Sequence, residues 1–188
     1  MLDDSDKTTL LVLARKTLDS YLSNGTIPPC PTASASLLEH KGAFVSLHHG
    51  KELRGCIGQL YPDQELVKIV QHCALSAALD DARFLPVDHE ELADMTIEIS
   101  VLTPFHRIRS LEEIEVGRHG LYVEQGRFRG LLLPQVCTQY GWNREEFLEQ
   151  TCRKAGLPAS AWRNPNTIIQ TFEAQVFSDS HNQAVAGA

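Results

Sequence analysis

The sequence predicts an α+β fold built from antiparallel sheet and helices. Three observations carry that expectation. Apolar residues recur at helical spacing in separate runs, other runs alternate apolar and polar residues with a period of two, and the alternating runs pair across short glycine-containing turns. Paired strands with helices between the pairs favour hairpins over repeated β-α-β units. The 188 residues, 43% of them hydrophobic, suit one large domain or two subdomains sharing a core, and no linker divides them.

Each element has its own signal. Leu10, Leu11, Ala14, Leu18, Tyr21 and Leu22 form a helical stripe, with Ser5 as the expected cap and Asn24-Gly25 as the stop. The three prolines of Ile27-Pro28-Pro29-Cys30-Pro31 predict an extended connector. Residues 43–47 and 53–57 read as a hairpin turning through His48 to Glu52, which puts Cys56 at a strand end. Asp63 is placed to cap a helix from Leu66 to Ala77 that ends near Asp80-Asp81. Met95, Ile97, Ile99 and Val101 alternate with polar residues, so Glu98 points away from the apolar face of its strand. A second hairpin joins 120–123 to 128–133, and Asn143 with Glu146 forms a capping box for a helix closed by Gly156 and Pro158. A last strand runs from Ile168 to Phe177, and 178–188 is expected to be a flexible, dispensable tail.

Composition narrows the function. A net charge of −7 disfavours a general nucleic-acid binder, and within 104–130 the arginines are balanced by Glu112, Glu113, Glu115 and Glu124. The arginine and aromatic mixture of Tyr122 and Arg127-Phe128-Arg129 is therefore a weak RNA signal. Five widely spaced cysteines without C-x-x-C pairs, an acidic start and no apolar run of bilayer length predict a soluble cytoplasmic chain with reduced thiols.

Arg54-Gly55-Cys56-Ile57-Gly58 is the segment richest in chemistry. Residues two apart on a strand share a face, so Arg54 is expected beside Cys56, where a guanidinium lowers a thiol pKa, and the glycines let backbone approach a ligand. The alternative is a small buried cysteine with Arg54 in a structural ion pair. Asp81 and Arg83 follow the second helix and offer a carboxylate with its own cation, and Glu98 and Glu173 are further carboxylates on strands. Among the histidines near glycines, His48, His49 and His119, no pair has the helical spacing of a zinc site, so no metal is expected.

Leu53-Arg54-Gly55-Cys56-Ile57-Gly58 resembles the signature hexapeptide of the AMMECR domain family, protein A of the AmmeMemoRadiSam system in bacteria. Ala78 to Phe84, Glu98 to Leu102, Val116 to Leu121, Leu133 to Val136 and Cys152 to Gly156 are similar in order and spacing, from about residue 8 to 177. The resemblance implies an antiparallel α+β fold of two subdomains or internally duplicated units, with the hexapeptide lining a cleft between them. It also implies Memo-like and radical SAM proteins as partners, and it brings no established activity. Gln59 stands where many relatives have a small polar residue, and His119 stands where many have Asp, so a histidine there is not an obligatory base. Two readings follow. In the first the chain is an enzyme or small-molecule binder, with Cys56 and Asp81 in catalytic positions, His119 as a further candidate, and Arg54, Gly55, Gly58, Arg83 and Glu98 around the ligand. In the second it is a non-catalytic partner protein, and a third, an RNA-related factor, stands behind both. Cofactor and oligomeric state are left open.

Overall fold

In a computed structural model that describes residues 1–179, helix α1 (Asp4–Asn24) opens the chain. Its cap is Asp3 rather than Ser5: the Asp3 carboxylate accepts the Asp6 N–H at 2.8 Å, and Ser5 falls inside the first turn. Carboxylates are stabilised by the unpaired N–H groups of a helix start, so the acidic 3–6 run carries the helix toward the N-terminus. Gly25 ends it with a φ of 75°, which side-chain-bearing residues rarely adopt.

Strands β1 (Ala43–His49) and β2 (Glu52–Gln59) form the expected hairpin, and α2 (Leu66–Leu79) follows. Asp63 does not cap α2, because the Leu66 N–H is already taken by the Glu39 carbonyl at 2.9 Å. Strand β3 (Met95–Leu102) lies on the other side of β1, antiparallel to it. The expected last strand is two: β7 (Ile168–Phe172) and β8 (Ala174–Ser178), which belong to different sheets. The first sheet has the order β2-β1-β3-β8, so β2 is an edge.

This sheet and the two helices make one compact unit, Met1–Leu102 with the strand returning at Gln175. Val45 and Leu47 of β1, Ile97 and Ile99 of β3, Leu10 and Leu18 of α1 and Val70 and Ala74 of α2 share one core. Each fully buried aliphatic side chain there contributes about 1.5–3 kcal/mol of transfer free energy. The odd-numbered residues of β1 and β3 make the helix-facing side of the sheet, which leaves the even-numbered ones on the other face.

The second unit, Thr103–Ala174, has its own sheet and core. Its strands are β4 (His106–Arg107), β5 (Gly120–Gln125), β6 (Phe128–Leu132) and β7, in the order β4-β7-β5-β6, and each pairing is antiparallel. Helix α4 (Arg144–Lys154) starts on the Asn143–Glu146 capping box and packs Phe147, Leu148 and Cys152 against Leu121 and Val123 of β5. A helix not expected from sequence, α3 (Pro134–Tyr140), precedes it, with Pro134 in the first turn where its missing N–H costs nothing.

Residues 178 and 179, expected to belong to a flexible tail, are part of the fold. Ser178 closes β8, and the Asp179 carboxylate accepts the Ile97 N–H at 2.9 Å and pairs with the Arg15 guanidinium. The rest of that expectation, 180–188, lies outside the described residues.

Candidate functional site

Cys56 sits inside β2 and not at its end, because pairing with β1 continues to Gln59. Ser46 of β1 lies directly opposite Cys56, and Glu98 of β3 lies directly opposite Ser46, so the three form one row across the sheet on the face turned away from the helices. The Ser46 hydroxyl donates to Cys56 Sγ at 3.1 Å. Ser46 is buried, and Cys56 and Glu98 are half-buried. No hydrogen bond or ion pair joins the Glu98 side chain to another of the described residues.

The outward backbone groups of Cys56 are met by side chains. Asp81 Oδ2 accepts the Cys56 N–H at 2.9 Å, and Arg83 Nη2 lies 3.5 Å from the Cys56 carbonyl. Asp81 and Arg83 are themselves joined by two bonds, Nε to Oδ1 at 2.9 Å and Nη2 to Oδ2 at 2.6 Å. One carboxylate and one guanidinium thus do at Cys56 what a neighbouring strand would do. The guanidinium hydrogen bond, with the N–H groups of Cys56 and Arg83, outweighs burial and holds the Asp81 carboxyl far below the usual carboxylate range.

Arg54 does not reach the thiol, which corrects the expectation of a shared face. Leu47 pairs with Gly55 and His48 with Leu53, so Arg54 is the extra residue of a β-bulge, and a bulge re-aims its side chain. The guanidinium grips Glu91 with Nε at 3.2 Å and Nη2 at 3.0 Å, and donates to the Leu85 carbonyl at 2.6 Å. The cation that acts on Cys56 is Arg83. Burial pushes the Cys56 thiol up, with Asp81 and Glu98 adding to the rise, while the Ser46 hydroxyl and Arg83 oppose it without winning. Cys73, deeper in the core, is pushed up to about 11 by the same cause.

The glycines answer to packing. Neither Gly55 nor Gly58 has a positive φ. A Cβ on Gly55 would lie 2.0 Å from the Ala77 carbonyl oxygen of α2, and one on Gly58 would lie 2.2 Å from the Phe44 ring. They let a helix end and an aromatic ring close on β2, which is a different use from the ligand approach expected.

His119 belongs to the second unit, where its Nδ1 accepts the Glu115 N–H at 3.1 Å. Glu173 is committed to Arg118 at 2.9 Å. Among the described residues no three His, Cys, Asp or Glu side chains converge as a metal site, and no helix is long and apolar enough to cross a membrane. All five cysteines are free thiols. Two residues of the Cys56 neighbourhood escape the sequence reading. Ser46 has a signal, a lone small polar residue in an apolar strand run; Glu91 has none, since only the folded chain brings it to Arg54.

A family model described as AMMECR1 matches residues 11–177. A protein of Thermococcus gammatolerans is 44% identical over 183 residues, covering 92% of this chain and 89% of its own length. A protein of Methanocaldococcus jannaschii is 42% identical over 174 residues, covering 88% and 86%. The crystal structure of an uncharacterised protein from Pyrococcus horikoshii superposes with a TM-score of 0.91 at 39% identity, covering 95% of this chain and 94% of that one.

Proposed function

The chain belongs to the AMMECR1 family, and from that premise we propose that it binds a small molecule on the Cys56-Ser46-Glu98 row, with Cys56 a neutral thiol at rest. One observation carries this reading: Glu98 is a half-buried carboxylate with no partner among the described residues, in register with a thiol and a hydroxyl. A charged group held partly out of water without a partner loses solvation, and a ligand that donates to it restores what was lost. The row supplies an acceptor in Glu98 and a thiol proton in Cys56, which suits a polar ligand whose donor and acceptor lie two strand spacings, roughly 10 Å, apart. Reaction at Cys56 would require its proton to leave first to a base that the ligand or solvent supplies, since Glu98 lies two strands away without a hydrogen bond to the thiol and Asp81 is committed to Arg83. Arg54, Gly55, Gly58, Asp81 and Arg83 hold the row in place.

Native mass spectrometry of the purified protein tests this. A small mass that is retained, leaves on denaturation and is lost in Glu98→Gln supports the reading; bare protein in every preparation, with no small molecule protecting Cys56 from alkylation, overturns it.

A second reading, the non-catalytic partner of a Memo-like or radical SAM protein, is favoured by Leu85 and Tyr61, 82% and 59% exposed in segments that flank the motif. Exposed apolar side chains suit a protein partner. Crosslinking at position 61 to such a protein, abolished by Leu85→Asp with Glu98→Gln silent, selects it.

A further inference from the structure

The second unit holds a feature that the Cys56 row does not explain. Arg107 and Arg109 lie two apart, with Ile108 between them directed into the second core. Both are exposed, and among the described residues neither guanidinium makes a hydrogen bond, ion pair or ring contact, the Arg109 charge acting on the Glu113 carboxylate only at longer range. Every other arginine does: Arg15, Arg54, Arg83, Arg118, Arg129, Arg153 and Arg163 meet carboxylates, Arg144 meets the Ile114 carbonyl, and Arg127 lies over Phe128. In a chain of net charge −7, partners for two arginines are abundant, yet these two stay out of direct contact with one.

They also line the same pocket, of about 320 Å³, together with Ser110 and Thr167. The Ser110 side chain accepts the Glu113 N–H and keeps its own proton to donate. The carboxylate beneath is unavailable: Glu113 Oε1 accepts the N–H groups of Arg109 at 2.7 Å and Ser110 at 2.8 Å, and Oε2 faces His106 at 3.8 Å. Glu112 lines the pocket as its one opposing charge.

We propose that Arg107, Arg109 and Ser110 form a binding site for a phosphate group, as the free ion or as the monoester of a small metabolite. Two planar forks of donors and a hydroxyl match a tetrahedral dianion with several acceptor oxygens. The pocket is the size of the smallest ligand sites, about 300 Å³, and takes a phosphate with little more. The site owes nothing to Cys56, so it stands or falls separately from the small-molecule row.

The test is a titration of the intact protein with inorganic phosphate at constant ionic strength, followed by the amide shifts of Ser110 and Leu111. Saturable shifts are expected, weakened at least tenfold in Arg107→Gln with Arg109→Gln and strengthened in Glu112→Gln. Both arginines are exposed, so the double variant keeps its fold, checked by the unchanged amides of α4. A small phosphate monoester that binds more tightly than the ion marks a metabolite as the source, and equal binding marks the free ion. Shifts that fail to saturate, that survive the double variant, that acetate reproduces at equal concentration, or that only single-stranded RNA elicits overturn the proposal.

Discussion

Cys56 stands between two carboxylates and one cation, and their signs can be separated by substitution. Removing the Glu98 charge takes away one of the influences that raise the thiol pKa, so Glu98→Gln should speed iodoacetamide modification of Cys56 at pH 7. Ser46→Ala removes the hydroxyl that stabilises the thiolate and should slow it. Arg54→Ala should leave the rate unaltered, since its guanidinium is spent on Glu91 and the Leu85 carbonyl. Mass-spectrometric rates for the three variants check all three signs, and a slowed Arg54→Ala contradicts the geometry. Sequence spacing makes Arg54 and Cys56 neighbours on one face, and that inference fails only because a bulge inserts Arg54 between paired residues. A bulge depends on cross-strand register, which no local pattern records. Asp81 is read from sequence as a carboxylate with a local cation, and its ion pair with Arg83 lies at the expected two-residue spacing. Its bond to the Cys56 N–H crosses 25 residues and is not readable.

At the scale of elements, the contact of α2 with β2 rests on the absence of a side chain at residue 55. Gly55→Ala sets a methyl against a backbone oxygen, which cannot swing away, so the strand or the helix end must move. A loss of about 3 kcal/mol is expected in urea denaturation, at the upper end of overpacking costs. Asp81→Ala leaves the Cys56 N–H and Arg83 without their acceptor and should cost about 1–3 kcal/mol at neutral pH. Because the folded-state pKa of Asp81 is depressed, its contribution is complete above the unfolded value near ~3.9 and fades as pH falls through the folded value. The stability gap between wild type and Asp81→Ala should therefore be full at pH 7 and narrow below about pH 4. Helices α1, α2 and α4 are legible because their apolar stripes and stop signals coincide. Helix α3 is not, since its seven residues follow directly on an apolar strand and carry only Pro134 and Cys137 to a buried face. The change of sheets between β7 and β8 is equally hidden, because apolar alternation continues through both strands and says nothing of which partner each one meets.

For the whole molecule, the chain is fastened near its end by Asp179, which holds both the Arg15 guanidinium and the Ile97 N–H. Asp179→Ala should cost about 1–3 kcal/mol. In a protein of this size each kcal/mol moves the thermal midpoint by about 2–4 °C, so a calorimetric drop of several degrees is expected. A midpoint within a degree of wild type would mean that the anchor is superficial. Net charge acts on the same scale: at −7, generic single-stranded RNA should bind more weakly at physiological salt than the ~10⁻⁴–10⁻⁶ M of non-specific DNA binders. Micromolar binding with a steep salt slope would move the balance to the RNA-related reading.

The side chains that close the outer rim of β2 also bear on how the protein behaves when crowded with copies of itself. A bare sheet rim is a template on which a second chain can add a strand, and that growth has no natural end. Asp81 and Arg83 occupy the backbone groups of Cys56, and Arg54 ties the 85–91 segment alongside. Any incoming strand must first displace charged partners that are already satisfied. The motif that draws the eye as chemistry therefore doubles as a stopper against polymerisation, and concentrated solutions of Asp81→Ala, rather than of the wild type, are where fibrils should first be seen.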